Sequence, residues 1–154
     1  MIGLTFDGTI LTAATLSDGG EIFASAEQIA PDTDYRAWLL AVCAVIEQIR
    51  TPQNAGDALG VALPAIIQDD VVTYSAFSLL ANTSIRRDLQ SALGMPVSVH
   101  NIGEALATQA CRTGAATDAQ LAVAMWIGNS CHGGLALAGQ PVTGAHGATA
   151  NWPH

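Results

Sequence analysis

The segment from Gly94 to Gly114 restricts this chain more than any other stretch. Gly94-Met95-Pro96 is a chain break, and Val97 to Val99 is a short β-branched run that reads as a buried strand. Asn101 then offers a helix cap, and Ala105 to Ala110 is helix-forming composition. A strand, a polar turn and a helix start in that order belong to an α/β sheet, where ligands settle in the crevice at the strand's carboxyl end. A site residue is expected near Asn101, yet the next residue is Ile102, which has no acid–base chemistry.

The flanking sequence supports one mixed sheet. Ile2, Leu4 and Phe6 alternate with small or polar residues, Asp7-Gly8-Thr9 is a turn, and Ile10 to Leu16 is a second β-rich run. Ser17 to Gly20 turns again into a third strand ending near Ile29, giving three antiparallel strands in a meander. Tyr35, Trp38, Leu39, Val42, Cys43, Ile46 and Ile49 recur at helical steps. Leu59 to Leu63 and Leu121 to Ile127 are uninterrupted apolar runs, expected as strands buried on both faces. A small hairpin turns at Asp69-Asp70, and Ile85 to Leu93 is a further helix. Gly128 to Gly134 reads as a loop with Leu135 to Ala138 as its partner strand.

Composition excludes several functions. With 5 Lys and Arg against 13 Asp and Glu, the chain of 154 residues carries a net charge of −8, the wrong sign for grasping nucleic acid. No apolar run approaches the roughly 20 residues of a membrane span, and the amino terminus lacks a basic leader, so a cytoplasmic protein is expected. Cys43, Cys111 and Cys131 match no metal spacing; the first two fall in helical apolar patterns and the third in a loop. His100, His132, His146 and His154 likewise show no zinc spacing, and no zinc is expected.

Four stretches together resemble the first half of the ROK family of sugar kinases and repressors. Gly3 to Thr9 is similar to its GIDIGGT, Gly60 to Ala65 to GIGVPG, and Leu93 to Asn101 to LGLPVVVEN, which in the family continues DANAAALAE. Ile127 to Leu135, and then Gly139 and Gly144 to His154, resemble GTGIGGGI followed by a segment ending in GEIGH. The resemblance implies a ribonuclease-H-like lobe of an actin-like ATPase: a mixed sheet of three antiparallel strands, then parallel strands and crossover helices. It implies residues 1–117 as a small lobe and 118–154 as the beginning of a large one, with either a homo-oligomer or a missing second lobe as partner.

Active members transfer phosphate from ATP with Mg²⁺ to a hexose or N-acetylhexosamine, so the resemblance implies a carbohydrate ligand and a transferase. Phosphate or metal contacts would fall on Asp7, Gly8, Thr9, Gly128, Gly133 and Gly134; sugar contacts on Ser78, Asn101, Asn151 and His154. The family's general base, the Asp after Asn, is Ile102 here, and its Mg²⁺-holding Asp is Thr5. The sugar-binding Asn of SPNL is Ser78, the Glu of GEIGH is Asn151, and its final Gly is Pro153. These departures imply a pseudoenzyme or a strongly impaired kinase, with a carbohydrate-sensing regulator of the same family as the alternative. Asp7 shares a strand face with Thr5 but lies about 7 Å further along. Glu104 lies about 200° around the helix from Ile102 and is not expected to replace the base. Ile102 itself is expected to point, partly exposed, into the sugar site.

Overall fold

The computed structural model describes residues 1–50, 57–147 and 150. Strands β1 (Ile2–Phe6), β2 (Ile10–Leu16) and β3 (Ile22–Ile29) form the expected antiparallel meander. Helix α1 (Tyr35–Ile49) starts on Asp34, whose carboxylate accepts from the Ala37 amide at 2.8 Å. It carries the chain over the sheet to β4 (Leu59–Leu63), which runs parallel to β1. A hairpin of β5 (Ala65–Gln68) and β6 (Val71–Ser75) follows, then a short 3₁₀ turn over Ser78–Leu80 that the sequence did not announce. Helix α2 (Ile85–Leu93) ends at Gly94, whose φ of 67° is the left-handed stop, and returns the chain to β7 (Val97–Asn101), parallel to β4. The sheet order is β3-β2-β1-β4-β7.

Alternation along β1 sends Ile2, Leu4 and Phe6 into the core and Gly3 and Thr5 to the other face. The core lies between that inner face and α1, whose Trp38, Val42, Val45, Ile46 and Ile49 are buried. Phe6 meets Trp38 edge to face at 5.8 Å and Phe77 at 5.3 Å. Tyr35 stacks on Trp38, and its hydroxyl donates to Asp88 at 3.0 Å, joining α1 to α2.

Helix α3 (Ile102–Thr113) leads to a second, three-stranded sheet of β8 (Leu121–Ile127), β9 (Cys131–Leu137) and β10 (Gln140–Pro141). α3 lies on β8 and β9 through small residues: Ala107, Cys111, Ala122 and Ala136 form a separate buried cluster. A β-carbon on Gly103 would stand 2.3 Å from the Gly133 carbonyl, and one on Gly134 would stand 2.1 Å from that of Gly103. Helix and strand backbones touch there, which only glycine permits.

Three sequence expectations are corrected. β8 is not buried on both faces: Leu121, Val123, Met125 and Ile127 are exposed, with Leu137 opposite Leu121, and only the Ala122 side meets α3. β9 begins at Cys131, so Cys131, Gly133 and Gly134 lie in the strand and not in a loop; backbone pairing with β8 claims them. β4 buries Leu59, Val61 and Leu63, while Gly60 and Ala62 face a cleft. Among the described residues no helix is long and apolar enough to cross a membrane.

Candidate functional site

Two glycine-tipped turns, far apart in sequence, meet at one end of a cleft. In the first, Asp7 Oδ1 accepts from the Thr9 amide at 2.8 Å and the Ile10 amide at 2.7 Å, which closes the β1–β2 turn. Gly8 has φ 103°, and a β-carbon there would stand 2.0 Å from the Phe77 ring. In the second turn, Asn129 Nδ2 donates to Thr9 Oγ1 at 2.9 Å. The Trp126 ring lies against Gly128, and Ser130 Oγ is 2.9 Å from His132 Nε2.

The cleft behind these turns has a volume of about 520 Å³. One wall is the outward face of the first sheet: Gly3, Thr5 and Asp7 of β1, Thr12, Ala14 and Leu16 of β2, and Gly60 and Ala62 of β4. The other is Ile102, Ala105, Leu106 and Gln109 of α3, with Trp126. Ile102 therefore faces this cleft but is only 5% exposed, which corrects the expectation of a partly exposed side chain. The first turn of α3 is pressed between two sheets, so a side chain on the cleft wall is still covered.

Asn101 is the cap that the sequence predicts. Its Oδ1 accepts from the Gly103 amide at 2.7 Å, and its Nδ2 donates to the Ala65 carbonyl at 2.9 Å. Both ends of the amide are held by the fold. On the far side of the same helical turn lies a second cavity of about 310 Å³, bordered by Asn101, His100, Asp69, Asp70, Glu104, Thr143 and Gly147. Glu104 turns into it and away from the first cleft, as the rotation per residue requires. Glu104 is 7% exposed, its Oε1 has no hydrogen-bond partner, and burial pushes its carboxyl up.

The remaining sequence candidates divide. Asp7, Gly8, Thr9 and Gly128 gather at the meeting turns. Gly133 and Gly134 are buried against Gly103, their space taken by backbone. Ser78 is exposed on the 3₁₀ turn and borders neither cavity. Asn151 and His154 lie outside the described residues. Sequence reasoning missed Glu104 as a buried acid and the Ser130–His132 pair. For Glu104 the signal was present in its four-residue step to Thr108 and Cys111's face, but burial of that face depends on a later sheet.

The described lining of the first cleft is poor in groups that hold Mg²⁺ or nucleotide phosphates. Its one carboxylate is Asp7, whose Oδ1 is engaged in closing the turn, and Thr5 lies beside it on β1. Among the described residues no Lys or Arg borders the cleft to meet phosphate charge. Among the described residues no three His, Cys, Asp or Glu side chains converge as a metal site would require.

A family model described as the ROK family matches residues 1–154. An N-acetyl-D-glucosamine kinase of Salmonella newport (strain SL254) is 27% identical over 126 residues, covering 80% of this chain and 42% of that protein. An inorganic polyphosphate/ATP-glucomannokinase from Arthrobacter sp. strain KM superimposes with a TM-score of 0.85 at 25% identity, covering 95% of this chain and 61% of that one. A ROK family glucokinase from Streptomyces griseus, in complex with glucose and AMPPNP, gives 0.89 at 21% identity, covering 100% of this chain and 49% of that one. The fold is the mixed α/β lobe of the actin-like ATPases, and the chain spans less than half the length of the first kinase.

Proposed function

The chain belongs to the ROK family, and from that premise we propose that it binds a carbohydrate without transferring phosphate to it. The observation that carries this reading is Ile102, whose covered side chain fills the cleft wall where the family's general base would stand. The sugar is assigned to the second cavity, bordered by Asn101, Thr143 and Gly147. The first turn of α3 borders both cavities, with Ile102 on the first and Asn101 and Glu104 on the second. In this reading residues 1–117 form the small lobe and 118–154 open the large one, with α3 running between the two sheets.

Calorimetric titration with hexoses and N-acetylhexosamines, beside a coupled kinase assay with ATP and Mg²⁺, tests the reading. Sugar binding with no turnover is expected. Turnover in the ordinary kinase range of about 1–100 s⁻¹ would overturn it. The alternative within the family, a carbohydrate-responsive regulator, is favoured by the same loss of the base. The net charge of −8 argues against direct DNA contact, so retention on duplex DNA at physiological salt would contradict this form of the reading.

A further inference from the structure

We propose that the second cavity selects a sugar bearing a free, protonated amine, with Glu104 as the counter-ion. The inference deepens the carbohydrate reading and rests on it for the sugar ring, while the ammonium part stands on the cavity's own chemistry.

Three observations lead there. Glu104 is more than nine-tenths buried, its Oε1 is unpartnered, and it borders the cavity. A buried carboxylate without a partner is costly, and a cation that enters beside it recovers that cost. Asp69 and Asp70 add two carboxylates to the cavity lining, and among the described residues no Lys or Arg borders it. Asp70 is paired outward with Arg86, which leaves Asp69 as the second acidic group facing the space. Asp69 and Asp70 hold φ values of 50° and 66° at the hairpin tip, a conformation that Asn, Asp and Gly all adopt in such turns.

The cavity is also built to one size. Gly147, at φ 69°, packs so closely on β5 that a β-carbon would stand 2.2 Å from the Ile67 carbonyl. Both residues border the cavity, whose volume of about 310 Å³ is room for one sugar ring. A metal ion is not the cation in question, because no three suitable ligands converge among the described residues. The other titratable neighbour is His100, exposed at the end of β7. Arg112, eight residues beyond Glu104 on α3, borders a neighbouring cavity with Glu104 and Met1 and does not line this one. An ammonium on a polyhydroxylated ring meets all of this: charge for Glu104 and Asp69, hydroxyls for Thr143 and the strand-end backbone.

The test is calorimetric titration of the whole chain with D-glucosamine, D-glucose, N-acetyl-D-glucosamine and cyclohexylamine, at a pH that keeps the amines protonated. Glucosamine should bind at least tenfold more tightly than glucose or the N-acetyl sugar. Glu104→Gln should abolish that preference, glucosamine then binding no more tightly than glucose; Asp69→Asn, which suits the turn, should reduce it. Equal affinity for the three sugars, or a preference that survives Glu104→Gln, overturns the proposal. If glucose binds and the amine adds nothing, the amine site fails and the carbohydrate reading stands. If glucosamine and cyclohexylamine bind through Glu104 while glucose does not, the amine site stands and the carbohydrate reading fails. Binding of none of the four overturns both.

Discussion

Replacing Ile102 with Asp separates a covered wall residue from an empty catalytic position. Ile102 is 5% exposed, so the substitution loses most of the transfer energy of an isoleucine side chain, about 1.5–3 kcal/mol. The new carboxyl replaces a covered apolar side chain on a mainly apolar wall, and a buried polar group left without a partner there costs about 1–3 kcal/mol more. The first turn of α3 returns about 0.3–1 kcal/mol through the helix dipole. The net expectation is a loss of about 3 kcal/mol at pH 7. At about 2–4 °C per kcal/mol for a chain of this size, melting should fall by about 6–12 °C. The carboxyl would be raised in the folded state by burial. Its penalty is therefore complete above the folded pKa and disappears as pH falls below the unfolded value of about 3.9. Differential scanning calorimetry of wild type, Ile102→Asp and the uncharged Ile102→Asn across that range reads each contribution. The Asp variant should approach the Asn variant at low pH. A melting change under about 2 °C with no pH dependence would refute the argument, because it would show a side chain open to solvent.

Other outcomes follow from single contacts. Glu104→Gln should raise the melting temperature at pH 7–8, since burial lifts the Glu104 carboxyl and its ionisation opposes folding; the gain should shrink as pH falls through the carboxylate range, measured by thermal unfolding. Gly134→Ala should cost more than about 2 kcal/mol, because its β-carbon would meet the Gly103 backbone at 2.1 Å and backbone cannot yield as a side chain can; chemical denaturation reads this. Asn101→Ala should lose about 1–2 kcal/mol, from one helix cap and one buried bond to Ala65, and hydrogen exchange should show α3 fraying from its first turn. Tyr35→Phe should cost about 1 kcal/mol by removing the bond to Asp88 that joins α1 to α2.

Local chemistry was enough for the elements that interact with their sequence neighbours. The alternation of Ile2, Leu4 and Phe6, the Asp7-Gly8 turn, the periodicity from Tyr35 to Ile49 and the Asn101 cap all depend on residues within one or two turns of each other, and each is found where the sequence puts it. Motif resemblance extended this to the family, because four short stretches kept their order. The burial of particular side chains depended on elements brought in from afar. Leu121 to Ile127 has the composition of a doubly buried strand, yet only its Ala122 side is covered, since burial is a property of what packs against a strand and not of the strand. Gly133 and Gly134 look like loop glycines until Gly103, some thirty residues earlier, is laid directly upon them. Ile102 and Glu104 were correctly placed on opposite sides of one helix by its rotation alone. That both sides are covered, and that the acid is left there without a partner, was decided only when the second sheet and the Asp69–Asp70 hairpin closed around that turn.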